Sequence, residues 1–326
     1  MIARAAPPMR ARAAECVERV HDAATELFAR MEGGCTVRED RWERPGGGGG
    51  VTRVITRGAV WEKAGINRSR VEGPLPAGAA ERLGGRAGAA AGFFATGVSL
   101  VAHPRSPMIP TVHLNVRYFE LEDADGAPLD AWFGGGTDLT PTYPHQDDAA
   151  HFHRVLAACC GRHGDDLYPR FKAWCDRYFV NEHRGGERRG VGGIFYDHLR
   201  PGDGGMDGDA LLSFMAGVGT VLEDAYAPIV ARRRDEPWGR RERRLQLARR
   251  GRYAEFNLLH DRGTIFGLRT GARVESVLMS LPPLARWDYA PEYAAGSIEA
   301  RLVEMLEPRD WAAWSGAAEE RGAAIA

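Results

Sequence analysis

His113, Asn115 and Arg117 occupy alternate positions of Val112-His-Leu-Asn-Val-Arg-Tyr118, and Asp138 follows the three glycines of Trp132-Phe-Gly-Gly-Gly-Thr-Asp138. An imidazole, an amide, a guanidinium and a carboxylate set in two otherwise apolar segments can bind a polar ligand, clamp its acids and carry a proton. In an extended chain the side chains alternate between faces, so Val112, Leu114, Val116 and Tyr118 share a packed face while His113, Asn115 and Arg117 share the other. The glycines let the backbone turn and approach a ligand closely, which delivers Asp138 at the end of an apolar strand. A half-exposed strand followed by a glycine turn fits the same spacing without any chemistry. The surrounding elements must decide between the two.

Apolar Val17, Val20, Ala24, Leu27, Phe28 and Met31 recur at helical spacing, predicting a helix over 14–31 that Gly33 and Gly34 end. Gly46 to Gly50 precede the strand candidate Val51–Thr56 and read as a hairpin tip rather than a domain boundary. Pro74 to Gly92 reads as loop or loosely packed helix, and strand resumes over Gly97–His103. Helices are predicted over 148–163 and 167–180, a short strand over 194–196, and one long helix from 209 to about 231. Two further strands are expected around 253–259 and 264–268, then a last helix from Ser297. Strands arriving in pairs argue for an antiparallel sheet covered by helices on both faces, an α+β single domain over 1–326 with residues 1–12 as a tail.

The chain has 326 residues, 44% of them apolar, and a formal charge of -1, the profile of a globular protein with no obligatory polyanionic partner. Only Lys63 and Lys172 among its 43 basic residues are lysine, so every arginine cluster is discounted for coding bias. Ten arginines against three acids lie between Ile229 and Tyr253; a solvated helix or subunit interface is favoured there over a nucleic-acid surface, because aromatic interleaving is thin. In His183-Arg-Gly-Gly-Glu-Arg-Arg-Gly190 glycines flank the arginines, which suits a carboxylate or phosphate clamp as well as a surface turn. Five scattered cysteines without a Cys-x-x-Cys pair, and no run of about 18 apolar residues, point to a reducing cytoplasm and no membrane span. The Ala- and Arg-rich opening is too short for a transit peptide. No phosphate-binding glycine motif, nucleophile elbow or haem-attachment motif is present. His103, His113, His153 and His183 fall in segments expected around one sheet, but their wide spacing is a weak metal signature.

Taken with Gly97-Val-Ser-Leu100, Tyr168-Pro-Arg-Phe-Lys-Ala-Trp-Cys-Asp176, Gly251-Arg-Tyr-Ala-Glu-Phe-Asn-Leu258 and Ser280-Leu-Pro-Pro-Leu284, the two opening stretches make the chain resemble the oxygen-dependent coproporphyrinogen III oxidases from about Val51 to Trp311. The resemblance implies a large flat antiparallel sheet between helices, assembled as a homodimer through a region matching Tyr253 to Asp288. It implies conversion of two propionates of coproporphyrinogen III to vinyl groups, giving protoporphyrinogen IX with O2 as oxidant and no organic cofactor. Ser99, Asn115, Val116, Arg117, Gly271, Ala272 and Arg273 match substrate contacts, His113 a proton donor, and Asp138 a carboxylate facing the pyrrole nitrogens. His103, His113, His153 and His183 match positions given to a divalent metal in some bacterial members. Phe195-Tyr-Asp-His198 stands where the family more often has two acids, and His183-Arg-Gly-Gly carries an extra glycine. A tetrapyrrole binder without catalysis and an arginine-driven RNA-binding protein are the rival readings.

Overall fold

In the computed structural model, which describes residues 7–75, 88–269 and 272–316, the helical spacing near the amino terminus becomes helix α1 (Met9–Glu32), stopped where Gly33 takes a left-handed φ of 80°. The helix begins earlier than predicted. Residues 9–12 belong to it rather than to a tail, because Pro8 suits the helix start and Arg10 and Arg12 are anchored by Glu120, Glu122 and Asp209.

Seven strands follow in an antiparallel sheet: β1 (Arg38–Glu43), β2 (Gly48–Thr56), β3 (Trp61–Pro74), β4 (Gly92–Pro104), β5 (Thr111–Glu122), β6 (Pro128–Thr140) and β9 (Gly192–Leu199), paired in that order. The glycines at 46–50 do form a hairpin, with Gly48 to Gly50 already inside β2. β1 and β3 escape the sequence reading because neither alternates apolar and polar residues; β3 mixes charges and glycine yet is satisfied by full ladders to β2 and β4. Of the predicted loop at 74–92, Pro74 and Gly92 end strands, and 76–87 lies outside the described residues. A two-stranded ribbon, β7 (Val180–Asn181) and β8 (Glu187–Arg188), carries the turn before β9.

One sheet face is apolar. Ile55, Ala64, Ile66, Val98, Leu100, Ala102, Val112, Leu114, Val116, Tyr118, Phe133, Leu139, Ile194 and Tyr196 are buried there with α1, α2 (Gln146–Gly161), the Leu167 and Phe171 side of α3 (Leu167–Tyr178), and α4 (Gly208–Thr220), α5 (Leu222–Ala225) and α6 (Ala227–Arg233). The predicted single helix over 209–231 is therefore three, broken at Val221 and Tyr226, with Pro228 inside the first turn of α6.

The other face is polar and half covered. Helix α7 (Arg240–Leu259) runs from Glu62 and Pro104 to the β7–β8 ribbon, and helix α8 (Arg262–Arg269) starts beside Tyr178 and the β9 residue Asp197. Helix α9 (Val274–Leu278) and the chain after it lie over the β2–β4 part. Ser276 bonds Thr52 at 2.8 Å, Lys63 donates to the Leu281 carbonyl at 2.9 Å, and Met279 packs over Gly65. The strands predicted at 253–259 and 264–268 are thus the end of α7 and most of α8. Helix α7 buries Gln246, Arg249, Arg250 and Asn257 beside Leu245, Tyr253 and Phe256, so its apolar period is invisible in sequence and the aromatic end imitates a strand. The last helix, α10 (Ile298–Met305), starts where predicted, capped by the Ser297 hydroxyl.

Candidate functional site

Pairing of β5 with β4 and β6 sets three rows across the polar face: Val101, His113 and Asp138; Ser99, Asn115 and Gly136; Gly97, Arg117 and Gly134. Neighbouring strands are about 4.8 Å apart, so the imidazole, amide and guanidinium of the sequence reading do line one patch, next to glycines that project no side chain. Val116 points the other way and is fully buried, leaving only its backbone for a ligand.

Asp138 is the most enclosed member, 1% exposed. Arg189 donates to both its oxygens, at 2.7 and 2.6 Å, and His113 Nδ1 donates to Oδ1 at 2.8 Å. A carboxylate only accepts, so the imidazole proton sits on Nδ1 and Nε2 is the nitrogen left for the cleft. Burial pushes the Asp138 carboxyl up, but Arg189 and then His113 more than offset it and hold it below the ordinary range. The carboxylate therefore stands behind His113 instead of open toward a ligand. Arg189, which sequence reasoning did not single out, is 2% exposed and lies between the rings of Phe179, Tyr253 and Phe256, 4.0, 4.6 and 4.8 Å from its guanidinium carbon. Its one advance signal was the glycine-flanked arginine loop, whose clamp closes on the protein's own carboxylate.

Arg117, two rows away and about one-third exposed, pairs with Asp197 of β9 at 2.8 Å, and Arg262 at the start of α8 lies 3.8 Å from the same oxygen. Tyr178 stacks on Phe195 at 4.3 Å and, with Phe179, forms an aromatic rim beside His113.

The remaining expectations fare differently. The four histidines do not converge. His103 donates from Nε2 to the Ser280 carbonyl and is wholly buried against Tyr253. His153 is sealed in α2 between the Tyr168 hydroxyl and the Val191 carbonyl, with burial driving its pKa down to about 3. His183 bonds His260 and Glu255 at the surface. Among the described residues no group of three or more His, Cys, Asp and Glu could hold a metal ion. The quartet does not fit one ion within this chain. Arg273 is tied to Asp40 of β1 and to Ser276 over Thr52 of β2, and Asp40, Thr52, Asn67, Ser99 and Asn115 lie in one row across five strands, so its guanidinium is held at the β1–β2 end of the row, whose Asp40 lies roughly 19 Å from Asn115 by strand spacing. Ala272 bonds the Gly267 carbonyl, and Gly271 lies outside the described residues.

The arginine run is largely internal bracing. Arg232 and Arg233 hold Asp147 and Asp148, Arg241 holds Glu299, Arg243 and Arg250 share Glu62, Arg249 and Arg252 share Glu187, Arg244 meets Asp288, and Arg234 caps the Met31 carbonyl. Nine of ten guanidiniums already have partners, which leaves little for a phosphate backbone.

The profile of the family described as coproporphyrinogen III oxidase matches residues 12–311. The chain belongs to that family. It is 45% identical over 317 residues to the oxygen-dependent coproporphyrinogen-III oxidase, chloroplastic, of Glycine max, covering 95% of this chain and 81% of that relative. In this coproporphyrinogen III oxidase family member the polar patch lies on the sheet between the α9 cover and the Tyr178–Phe195 rim. No helix among the described residues is long and apolar enough to cross a membrane.

Proposed function

We propose that the polar face of β4, β5, β6 and β9 binds coproporphyrinogen III and that the chain removes two of its propionates oxidatively to give protoporphyrinogen IX. At each centre one propionic acid side chain and one O2 become one vinyl group, one CO2 and one H2O2: one C–H proton from the carbon next to the ring, the acid proton and two electrons pass to oxygen as the carboxyl carbon departs. The observation that carries this reading is the buried Arg189–Asp138–His113 chain ending at a partly exposed imidazole in a member of this family. Asp138 holds the ring in one tautomer, Arg189 keeps that carboxylate ionised, and His113 moves the proton that the developing peroxide or leaving carboxyl requires. Ser99, Asn115 and the Gly97–Gly134–Gly136 floor line the macrocycle bed, and Arg117 receives a rim propionate. The five free cysteines suit a reducing compartment such as the cytoplasm.

An aerobic turnover assay read by product fluorescence after auto-oxidation, repeated without oxygen and with a chelator, tests this. Decarboxylated product forming only with oxygen, whether or not chelator is present, is expected. Tight substrate binding with no CO2 released in air would instead make the chain a tetrapyrrole binder.

We also assign the 253–288 region to a homodimer interface. Leu258, Leu259, Phe266, Leu268, Val274, Leu284 and Trp287 are each between 39% and 57% exposed there, an apolar concentration unusual for a free surface. Leu259→Glu is expected to shift the sedimenting species from dimer to monomer; a monomeric parent chain would refute the assignment.

A further inference from the structure

Strand β9 departs from regular pairing at one place. Gly135 faces Tyr196 and Phe133 faces Leu199, so two steps on β6 oppose three on β9, and the extra residue falls at Asp197–His198. His198 holds a left-handed φ of 52°, uncommon outside glycine. Its amide donates to Asp197 Oδ1 at 2.9 Å and fixes the carboxylate. Bulges beside sites often re-aim one side chain. Here it is Asp197, whose Oδ2 lies 2.8 Å from Arg117 and 3.8 Å from Arg262, with His198 Nε2 at 3.9 Å. The opposing β6 residue is Gly134, where a Cβ would lie 2.8 Å from both Arg117 Nε and Asp197 Oδ1. The ion pair can cross the strand there only over glycine.

The charge count gives the arrangement its meaning. Two guanidiniums that would repel are gathered on one carboxylate oxygen, leaving one positive charge in excess at the edge of the macrocycle bed. Burial pushes the Asp197 carboxyl up and Arg117 more than offsets it, so the pair stays ionised. Asp197 is 9% exposed in its side chain while Arg117 and Arg262 are 36% and 60% exposed, so the anion is inside and the cations face out. Arg262 lies over Tyr178 and Phe195 at 5.0 and 5.8 Å, which keeps its plane on the rim. Guanidiniums bind carboxylates through paired N–H groups, and two pre-gathered guanidiniums match one carboxylate without further ordering.

We propose that Asp197 is a positioning residue that gathers Arg117 and Arg262 into a single corner receiving one peripheral carboxylate of the substrate. This rests on the assignment of the polar face to coproporphyrinogen. The carboxylate so held registers the macrocycle over His113, and the bulge, the left-handed His198 and the missing Cβ of Gly134 all serve to place Asp197.

The test measures kcat and KM for Asp197→Asn and Gly134→Ala beside the parent. Each is expected to raise KM about tenfold, the loss of one charge-assisted contact, with kcat at saturation within about threefold. Parent-like KM in both variants overturns the proposal, and so does an equal fall of kcat with the thermal midpoint, which marks a merely structural role. Because Gly134 also belongs to the floor of the bed, Gly134→Ala is read only beside Asp197→Asn. Should Asp197→Asn not fold, Asp197→Glu decides, since it keeps the charge while displacing the carboxylate from Arg117 and Arg262; the same tenfold rise in KM supports the corner, and a parent-like KM overturns it. A parent chain that binds the macrocycle without turnover instead refutes the functional assignment. The same two variants are then read by affinity for the tetracarboxylate porphyrin, where a tenfold loss supports the corner and unchanged affinity sinks it.

Discussion

Replacing Arg189 by methionine is expected to destabilise the chain by about 3–5 kcal/mol, the cost of leaving a buried carboxylate without its cation. Asp138 would keep one bond from His113 and lose both from Arg189. Methionine fills similar space between Phe179, Tyr253 and Phe256, so packing loss is a minor part of the effect. Urea unfolding at neutral pH measures it, and Arg189→Met combined with Asp138→Asn should recover more than half of the loss, since no charge is then stranded. The pH dependence has a definite sign. In the parent the folded-state pKa of Asp138 lies below its unfolded value, so its contribution is complete above about pH 4 and disappears as pH falls through the folded value. Without Arg189, burial raises the folded pKa above the unfolded one, and the variant loses stability as pH rises from about 4 through that new pKa. The gap between parent and variant should therefore narrow in acid. A gap below about 1 kcal/mol, or one that stays constant from neutral pH to about 4, would show that Arg189 does not neutralise Asp138.

The same pair shows what could be read in advance. β5 was legible because large apolar residues alternate with polar ones along it, and the face assignments of His113, Asn115 and Arg117 follow from a period of two. β6 was not, because Gly134 to Gly136, read as a turn, continue the strand, held by an unbroken ladder to β5. Arg189 was not, because its partner is 51 residues away and arginine is so abundant here that no single one stands out. Helix α7 failed for a related reason: it buries Arg249 and Arg250 against Glu187, Glu62 and backbone carbonyls, so the side chains that define its inner face read as solvated ones. Residue type also says nothing about direction. His153 carries the same ring as His113 but turns from α2 into the core, which separates two of the four supposed metal ligands. The bulge at Asp197–His198 left no local trace beyond an unusual Asp-His pair, because its cause is register with β6.

Asp138→Asn is expected to lower kcat about 10²- to 10⁴-fold, the range for disabling a general acid or base. In the parent, Oδ1 accepts from His113 and Arg189 together, and Oδ2 accepts from Arg189. An asparagine offers one acceptor in place of two. With its oxygen toward His113, its NH2 confronts the Arg189 N–H; turned over, its NH2 confronts Nδ1–H and forces the imidazole into the other tautomer, with the proton on Nε2. Either way Arg189 loses its counter-charge and His113 loses the acceptor that fixes its tautomer. The decisive comparison adds Asp138→Asn to His113→Asn. If Asp138 acts only through His113, the double variant is hardly slower than His113→Asn alone, as residues working as one unit give non-additive losses. If Asp138 instead reaches the pyrrole N–H groups itself, the two losses multiply. Its 1% exposure and its bonds to two protein partners favour the first outcome. Parent-like kcat for Asp138→Asn with substrate still bound would remove Asp138 from the mechanism and leave His113 to be oriented by the aromatic rim alone.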